Sequence, residues 1–472
     1  MSSNTSSKKS INVFILTMIN VAAICNIKNF PLSSLYGLSI IFFYILAAII
    51  YFIPVSLVSA ELTTGWPQRG VYVWVKEALG PRMGFLAIWL QWAENIIWYP
   101  TILSFIAATI AYIFNPALAS NTTYILWTII LTFWAVTILN LFGMKISGWI
   151  STLGALLGTI VPGALIIILG FLWYAHGNPS QTPLNWGAFF PDFTSINQIV
   201  IFSGVLLSLA GMEMSAVHAL EVKNPQKDYP KAIFISAILI LVLSSLGSLA
   251  VAIVVPAHEI NLAGGSMEAF SLFLNQYGFG WAIPLIALIM AFGAFGMMST
   301  WVIGPTKGVL ASAQDGDLPP LFQKVNKKGM PTALLILQAL FVTGLSLAFL
   351  LMPDVSSSYW ILVNLTVQLY LLLYALMFIS ALILRYKKPE VERSYKVPGK
   401  NNLGMWIVST VGVLACLCVF IVGFIPPEQI TTGDILRYEF FLVGGILLFL
   451  LLPLIIYEYK KDSWKIDSHS SQ

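Results

Sequence analysis

Charge is what this 472-residue chain has least of: Asp, Glu, Lys and Arg make up 9% of it, while 58% is hydrophobic. Soluble globular domains carry roughly 25% charged residues, so a protein with a solvated surface on every side is excluded. Histidine and cysteine are also scarce, at 4 and 3 residues. Cys25, Cys416 and Cys418 all fall in apolar stretches and have none of the spacings of a disulfide framework or a metal site. A phosphate-binding loop, a metal-ligand cluster and a GxSxG nucleophile turn are missing as well. Neither enzyme chemistry nor a cofactor or metal is therefore expected.

What is present is a series of apolar runs, each long enough as a helix to cross a hydrocarbon core of about 30 Å. Twelve are counted, at 11–30, 38–61, 84–114, 124–142, 149–174, 196–221, 232–255, 281–313, 332–352, 360–386, 405–425 and 440–459. The expected class is an all-α integral membrane protein. GWPQRGVYVWVKEALG, at 65–80, is too short and mixed to cross, and its Trp66, Tyr72 and Trp74 suit an interfacial segment. The stretch 258–278 reads as a connection holding a short surface helix.

Basic residues occupy alternate connections and both tails, and only Lys28 and Arg437 of the 24 fall elsewhere. By the positive-inside rule those connections and both termini are cytoplasmic. Topology thus accounts for the basic residues, and no nucleic-acid partner is expected. The polar opening MSSNTSSKKS leads to no small-residue cleavage site, so the first span is expected to be retained.

Irregular backbone at membrane depth is tolerated only where protein or a cavity surrounds it. Two spans carry such interruptions. In the first, INVAAICNIKNFP places Asn26 and Lys28 ahead of Pro31; in the sixth, SLAGMEMSAV sets Glu213 beside Gly211. Paired interruptions at corresponding positions of two halves point to an inverted-repeat transporter site. The halves would be 11–174 and 196–386, with 405–459 peripheral, all within one transmembrane domain.

Intramembrane acids are costly and usually functional, yet Glu213 also admits a bland reading as a helix-end carboxylate meeting cytoplasmic water. Gln91, Glu94, Asn95 and Trp98 share one helical face, which suits either substrate contact or a network between helices. Lys28 has two readings, a pair with Glu94 or a side chain reaching back to the surface. His218 suits a pH sensor or a plain hydrogen-bonding role. Trp301 and Thr300 are candidate cavity residues among ordinary packing.

Five stretches carry a resemblance: GMEMSAVHALEVKNPQKDYPKA, IPVSLVSAEL with GVYVWVKEALGPRMGF, VVPAHEINLAGG, WVIGPTKGVLASAQDGDLPP and NKKGMP. Together they resemble the amino acid, polyamine and organocation transporter superfamily, and within it the bacterial glutamate/GABA antiporters. The resemblance implies a leucine-transporter-type fold, a 5+5 inverted repeat plus two peripheral helices, twelve transmembrane helices in all. It also implies a substrate site formed by Ile24, Cys25, Asn26, Asn95, Trp98, Ala210, Gly211, Glu213, Met297 and Trp301. Coupling or gating would fall to Glu213, Glu94, Lys28 and His218. Ile24 and Asn26 stand where many relatives have glycine. The fifth span lacks the lysine found in some proton-coupled members, which favours exchange.

The resulting expectation is alternating-access transport of an amino acid across a bacterial inner membrane, by antiport. The alternatives are a proton-coupled permease and a transporter-like sensor. Expected partners are the amino-acid substrate and the lipid bilayer, with a homodimer left open.

Overall fold

Backbone N–H and C=O groups have no water to bond in a bilayer core, so a chain that crosses must satisfy them internally. The structure, a computed structural model, does so with helices. It describes residues 11–67, 70–143, 154, 156–192, 194, 196–213, 222–428, 430 and 434–465, and among these no strand forms beyond a single bridge between Ile11 and Val222.

Ten helices among the described residues are long and apolar enough to span. They are Gly37–Gly65, Pro81–Phe114, Thr122–Leu141, Leu156–Ala175, Lys227–Val254, Gly280–Asp317, Thr332–Leu351, Val355–Lys387, Lys400–Val422 and Ile435–Glu458. The two expected spans that do not appear as long helices are the two with interruptions. The first gives Val13–Ile24, then Phe30–Ser34 after a break; the sixth gives Ile196–Ser208, and its continuation beyond Glu213 lies outside the described residues. The interfacial segment is the helix Gly70–Leu79, turned into Pro81–Phe114 by Gly80 at φ +97°. The helix expected in 258–278 is Gly265–Gln276.

Burial sorts these helices into hub and rim. Within the most apolar window of Pro81–Phe114, 78% of residues are buried, against 33% for Lys400–Val422 and 22% for Ile435–Glu458. A helix that carries Gln91, Glu94 and Asn95 must keep them from lipid, and all three are buried. The rim helices instead present Leu, Ile and Phe outward, as a lipid-facing surface requires.

Without a hydrophobic drive between helices in lipid, small residues permit close approach. Gly158 and Gly293 bring Leu156–Ala175 against Gly280–Asp317: a Cβ on either would lie 2.2 Å from the other's Cα. Backbone cannot yield as a flexible side chain would. Gly293→Val is therefore expected to give a protein that loses its monodisperse elution in mild detergent. An unchanged elution profile and thermal midpoint would show that the helices can separate without harm.

Candidate functional site

In the first segment the helix ends at Ile24, and Cys25 and Asn26 are extended, with ψ of 120° and 124°. Asn26 then caps the following turn, its Oδ1 accepting the Lys28 N–H at 3.0 Å. The freed carbonyls find partners in other helices. Ser266 donates to the Ile27 oxygen at 2.9 Å, and the Tyr359 hydroxyl donates to the Lys28 oxygen at 3.2 Å. In the sixth segment the helix stops at Ser208, and Gly211 takes φ +113°, a conformation that disfavours any side chain. Its N–H donates to the Tyr374 hydroxyl at 3.0 Å. The start of the first segment pairs with the chain after the sixth, the Lys223 N–H donating to the Ile11 oxygen at 3.1 Å.

A cavity opens between the breaks. Ile24, Asn26, Lys28, Asn29, Ala210 and Leu207 line it from the interrupted segments. Glu94, Asn95 and Trp98 come from Pro81–Phe114, Met297 and Trp301 from Gly280–Asp317, and Tyr370 from Val355–Lys387. Nine of the residues expected from the sequence therefore share one cavity wall: Ile24, Asn26, Lys28, Glu94, Asn95, Trp98, Ala210, Met297 and Trp301. Cys25, Gly211 and Glu213 stand behind that wall rather than in it. A Cβ on Gly211 would meet the Trp301 ring at 3.6 Å and Ile24 at 3.7 Å. His218 lies outside the described residues.

The polar stripe is internally bonded. Asn95 donates to the Gln91 carbonyl at 2.9 Å and to the Glu94 carboxylate, while Asn26 Nδ2 donates to Met297 Sδ at 3.2 Å. Asn95→Leu would remove the donor from Glu94 and place an apolar side chain on the cavity wall. Substrate affinity is expected to fall by about tenfold, the worth of one hydrogen bond to a charged group. An unaltered dissociation constant would remove Asn95 from the site.

Neither reading of Lys28 holds. The side chain is buried, so it does not reach the surface, and no ion pair among the described residues joins it to Glu94. Its Nζ instead donates to Thr101 Oγ1 at 3.3 Å and to the Tyr359 hydroxyl at 3.4 Å. It also sits 5.6 Å from the Trp98 ring and 5.4 Å from the Tyr359 ring.

Glu213 is 5% exposed and does not meet cytoplasmic water. The Tyr370 hydroxyl donates to its Oε1 at 2.6 Å, and the Tyr374 hydroxyl donates to its Oε2. Since Tyr370 lines the cavity, one hydrogen bond separates the carboxylate from that space. Neither tyrosine was singled out by the sequence, where both sit among leucines in a long apolar run.

Two further polar clusters sit at helix ends. Glu61 accepts from Arg385 at 2.6 and 2.5 Å and from the Val397 N–H at 2.7 Å, with Arg393 at 3.5 Å. Burial first, then the Glu61 carboxylate, pushes the Tyr395 hydroxyl up to about 12. In the second cluster Asp315 takes Lys76 at 2.9 Å, and Asp317 takes Lys460 at 2.6 Å and Ser312 at 2.7 Å. The Tyr72 hydroxyl lies 2.9 Å from Asp315 and 3.1 Å from Asp317. The stretch ASAQDGDLPP held the signal for this cluster, as two acids flanking a glycine at a span end.

The amino acid permease family model matches residues 10–448 of the chain, from the first interrupted segment to the last helix. The chain belongs to that family. An uncharacterized transporter of Legionella pneumophila is 48% identical over 450 residues, covering 95% of this chain and 96% of its own length. A glutamate/gamma-aminobutyrate antiporter of Lactococcus lactis is 32% identical over 458 residues, covering 96% and 91%. A probable agmatine/putrescine antiporter of the same species is 24% identical over 369 residues, covering 78% of each chain. This amino acid permease is thus a multi-pass bacterial membrane transporter and not an enzyme.

Proposed function

We propose that the protein exchanges one amino acid for another across the bacterial inner membrane, by alternating access, with glutamate and 4-aminobutyrate as its substrate pair. The observation that carries this reading is the cavity between two interrupted helices, lined by the Lys28 amine and the Glu94 carboxyl group. The substrate sits against Ile24, Asn26 and Ala210, the residues of the two breaks that line the cavity. Glu94, Asn95, Trp98 and Trp301 complete the pocket, while Glu213 reports to it through Tyr370. The helices belong to two five-span repeats, 11–174 and 196–386, with 405–459 peripheral and both termini cytoplasmic. The likeness to the glutamate/gamma-aminobutyrate antiporter supports the substrate pair.

The test is reconstitution into liposomes. Labelled glutamate uptake is expected to require an amino acid inside the vesicle and to vanish from empty vesicles. Uptake into empty vesicles driven by a pH gradient alone would establish a proton-coupled permease instead, and binding without flux would establish a sensor.

A further inference from the structure

The chemistry of the cavity around Lys28 goes further than amino-acid transport in general. An ammonium has three N–H donors and no acceptor. Two of them reach Thr101 Oγ1 and the Tyr359 hydroxyl. Both acceptors are neutral, and both give their own protons elsewhere: Thr101 donates to the Trp98 carbonyl at 2.7 Å and Tyr359 to the Lys28 carbonyl at 3.2 Å. The faces of Trp98 and Tyr359 supply the remaining stabilisation of a cation. No carboxylate among the described residues forms an ion pair with it, although Glu94 lines the same cavity.

A buried charge is ordinarily paired. Here the Lys28 amine is positioned by neutral groups among the described residues, and it lines the space a ligand enters. That is the arrangement expected where the counterion arrives with the ligand.

We infer that Lys28 is the specificity-determining residue of the site, taking a carboxylate at the distal end of the substrate. The inference rests on the amino-acid transport reading and narrows it. Ligands with a distal carboxylate fit, the corresponding amide fits less well, and a distal ammonium is repelled. Glutamate, glutamine and ornithine differ at that end of the side chain, which makes them the natural probes.

The experiment uses the full chain in liposomes, with inhibition of labelled glutamate or glutamine exchange by each unlabelled amino acid. For the unaltered protein, glutamate is expected to inhibit at a concentration at least about tenfold lower than glutamine, the worth of one hydrogen bond to a charged group. Ornithine is expected not to compete. Lys28→Gln should bring glutamate and glutamine together, and Lys28→Arg should keep the preference. A Lys28→Gln protein that retains the full glutamate preference overturns the inference, as does one that loses both ligands equally while still eluting as a folded protein. The unaltered protein supplies a readout independent of any variant. If it exchanges amino acids but accepts ornithine as readily as glutamate, Lys28 does not select and the transport reading stands. If it moves no amino acid, both fall.

Discussion

Glu61→Ala is expected to cost about 3–5 kcal/mol of stability, the penalty for breaking a buried ion pair by removing one partner. The size follows from what the substitution leaves behind. Arg385 and Arg393 have side chains only 8% and 2% exposed, and Glu61 is the acid that both approach. Without it two buried guanidinium groups lose their shared counterion, and the Val397 N–H loses its acceptor. Burial already draws Arg393 below the usual guanidinium range, with Glu61 opposing that shift. Removing Glu61 takes away the opposing charge. Arg385→Met should cost less, because Arg393 still neutralises the carboxylate. The measurement is the thermal midpoint of the detergent-solubilised protein, with Glu61→Ala, Arg385→Met and the double variant compared. A Glu61→Ala midpoint within a degree of the unaltered protein would show that water enters this mouth and screens both arginines. Glu61 ties the end of Gly37–Gly65 to the end of Val355–Lys387 and to the strap after it, so the same variant should alter exchange even where it remains folded.

Local signals in the sequence marked the breaks and the polar face, whereas the partners that complete them come from far along the chain. Asn26 ahead of Pro31 and Gly211 beside Glu213 are conspicuous in apolar runs, because lipid tolerates such residues only inside protein. Gln91, Glu94, Asn95 and Trp98 were visible because helical periodicity puts them on one face. Tyr370 and Tyr374 lie 157 and 161 residues from the carboxylate they bond. In an unpaired apolar run a tyrosine looks like any packing aromatic. Arg385 is likewise 324 residues from Glu61, and in sequence it is one more basic residue obeying the positive-inside rule. Lys28 shows the limit most directly: both readings considered only charge, while the neutral oxygens and ring faces that hold it belong to Pro81–Phe114 and Val355–Lys387. Pairings of this kind are tertiary facts, and no periodicity within one helix encodes them.

Glu213→Gln is expected to lower amino-acid exchange by at least about tenfold while the protein still inserts and elutes normally. The carboxylate accepts from two hydroxyls, Tyr370 and Tyr374, and Tyr374 in turn accepts from the Gly211 N–H at 3.0 Å. An amide offers one oxygen and one NH₂ where the acid offers two acceptors. One tyrosine hydroxyl would then face a donor, and a buried polar group left unsatisfied costs about 1–3 kcal/mol, against 1.4 kcal/mol for each factor of ten. The loss should appear as impaired transport because the affected groups connect the break at Gly211 to the helix Val355–Lys387 and, through Tyr370, to the cavity. Tyr370→Phe removes the cavity-side bond and leaves Tyr374 in place. If the carboxylate acts through Tyr370, the double variant Glu213→Gln with Tyr370→Phe should be no worse than Glu213→Gln alone, since residues acting as one unit are not additive. Exchange rates that multiply in the double variant would mean that the acid works by another route. Exchange unchanged by Glu213→Gln at every pH tested would reduce the carboxylate to packing, and the hydroxyls around it would then serve only to bury it.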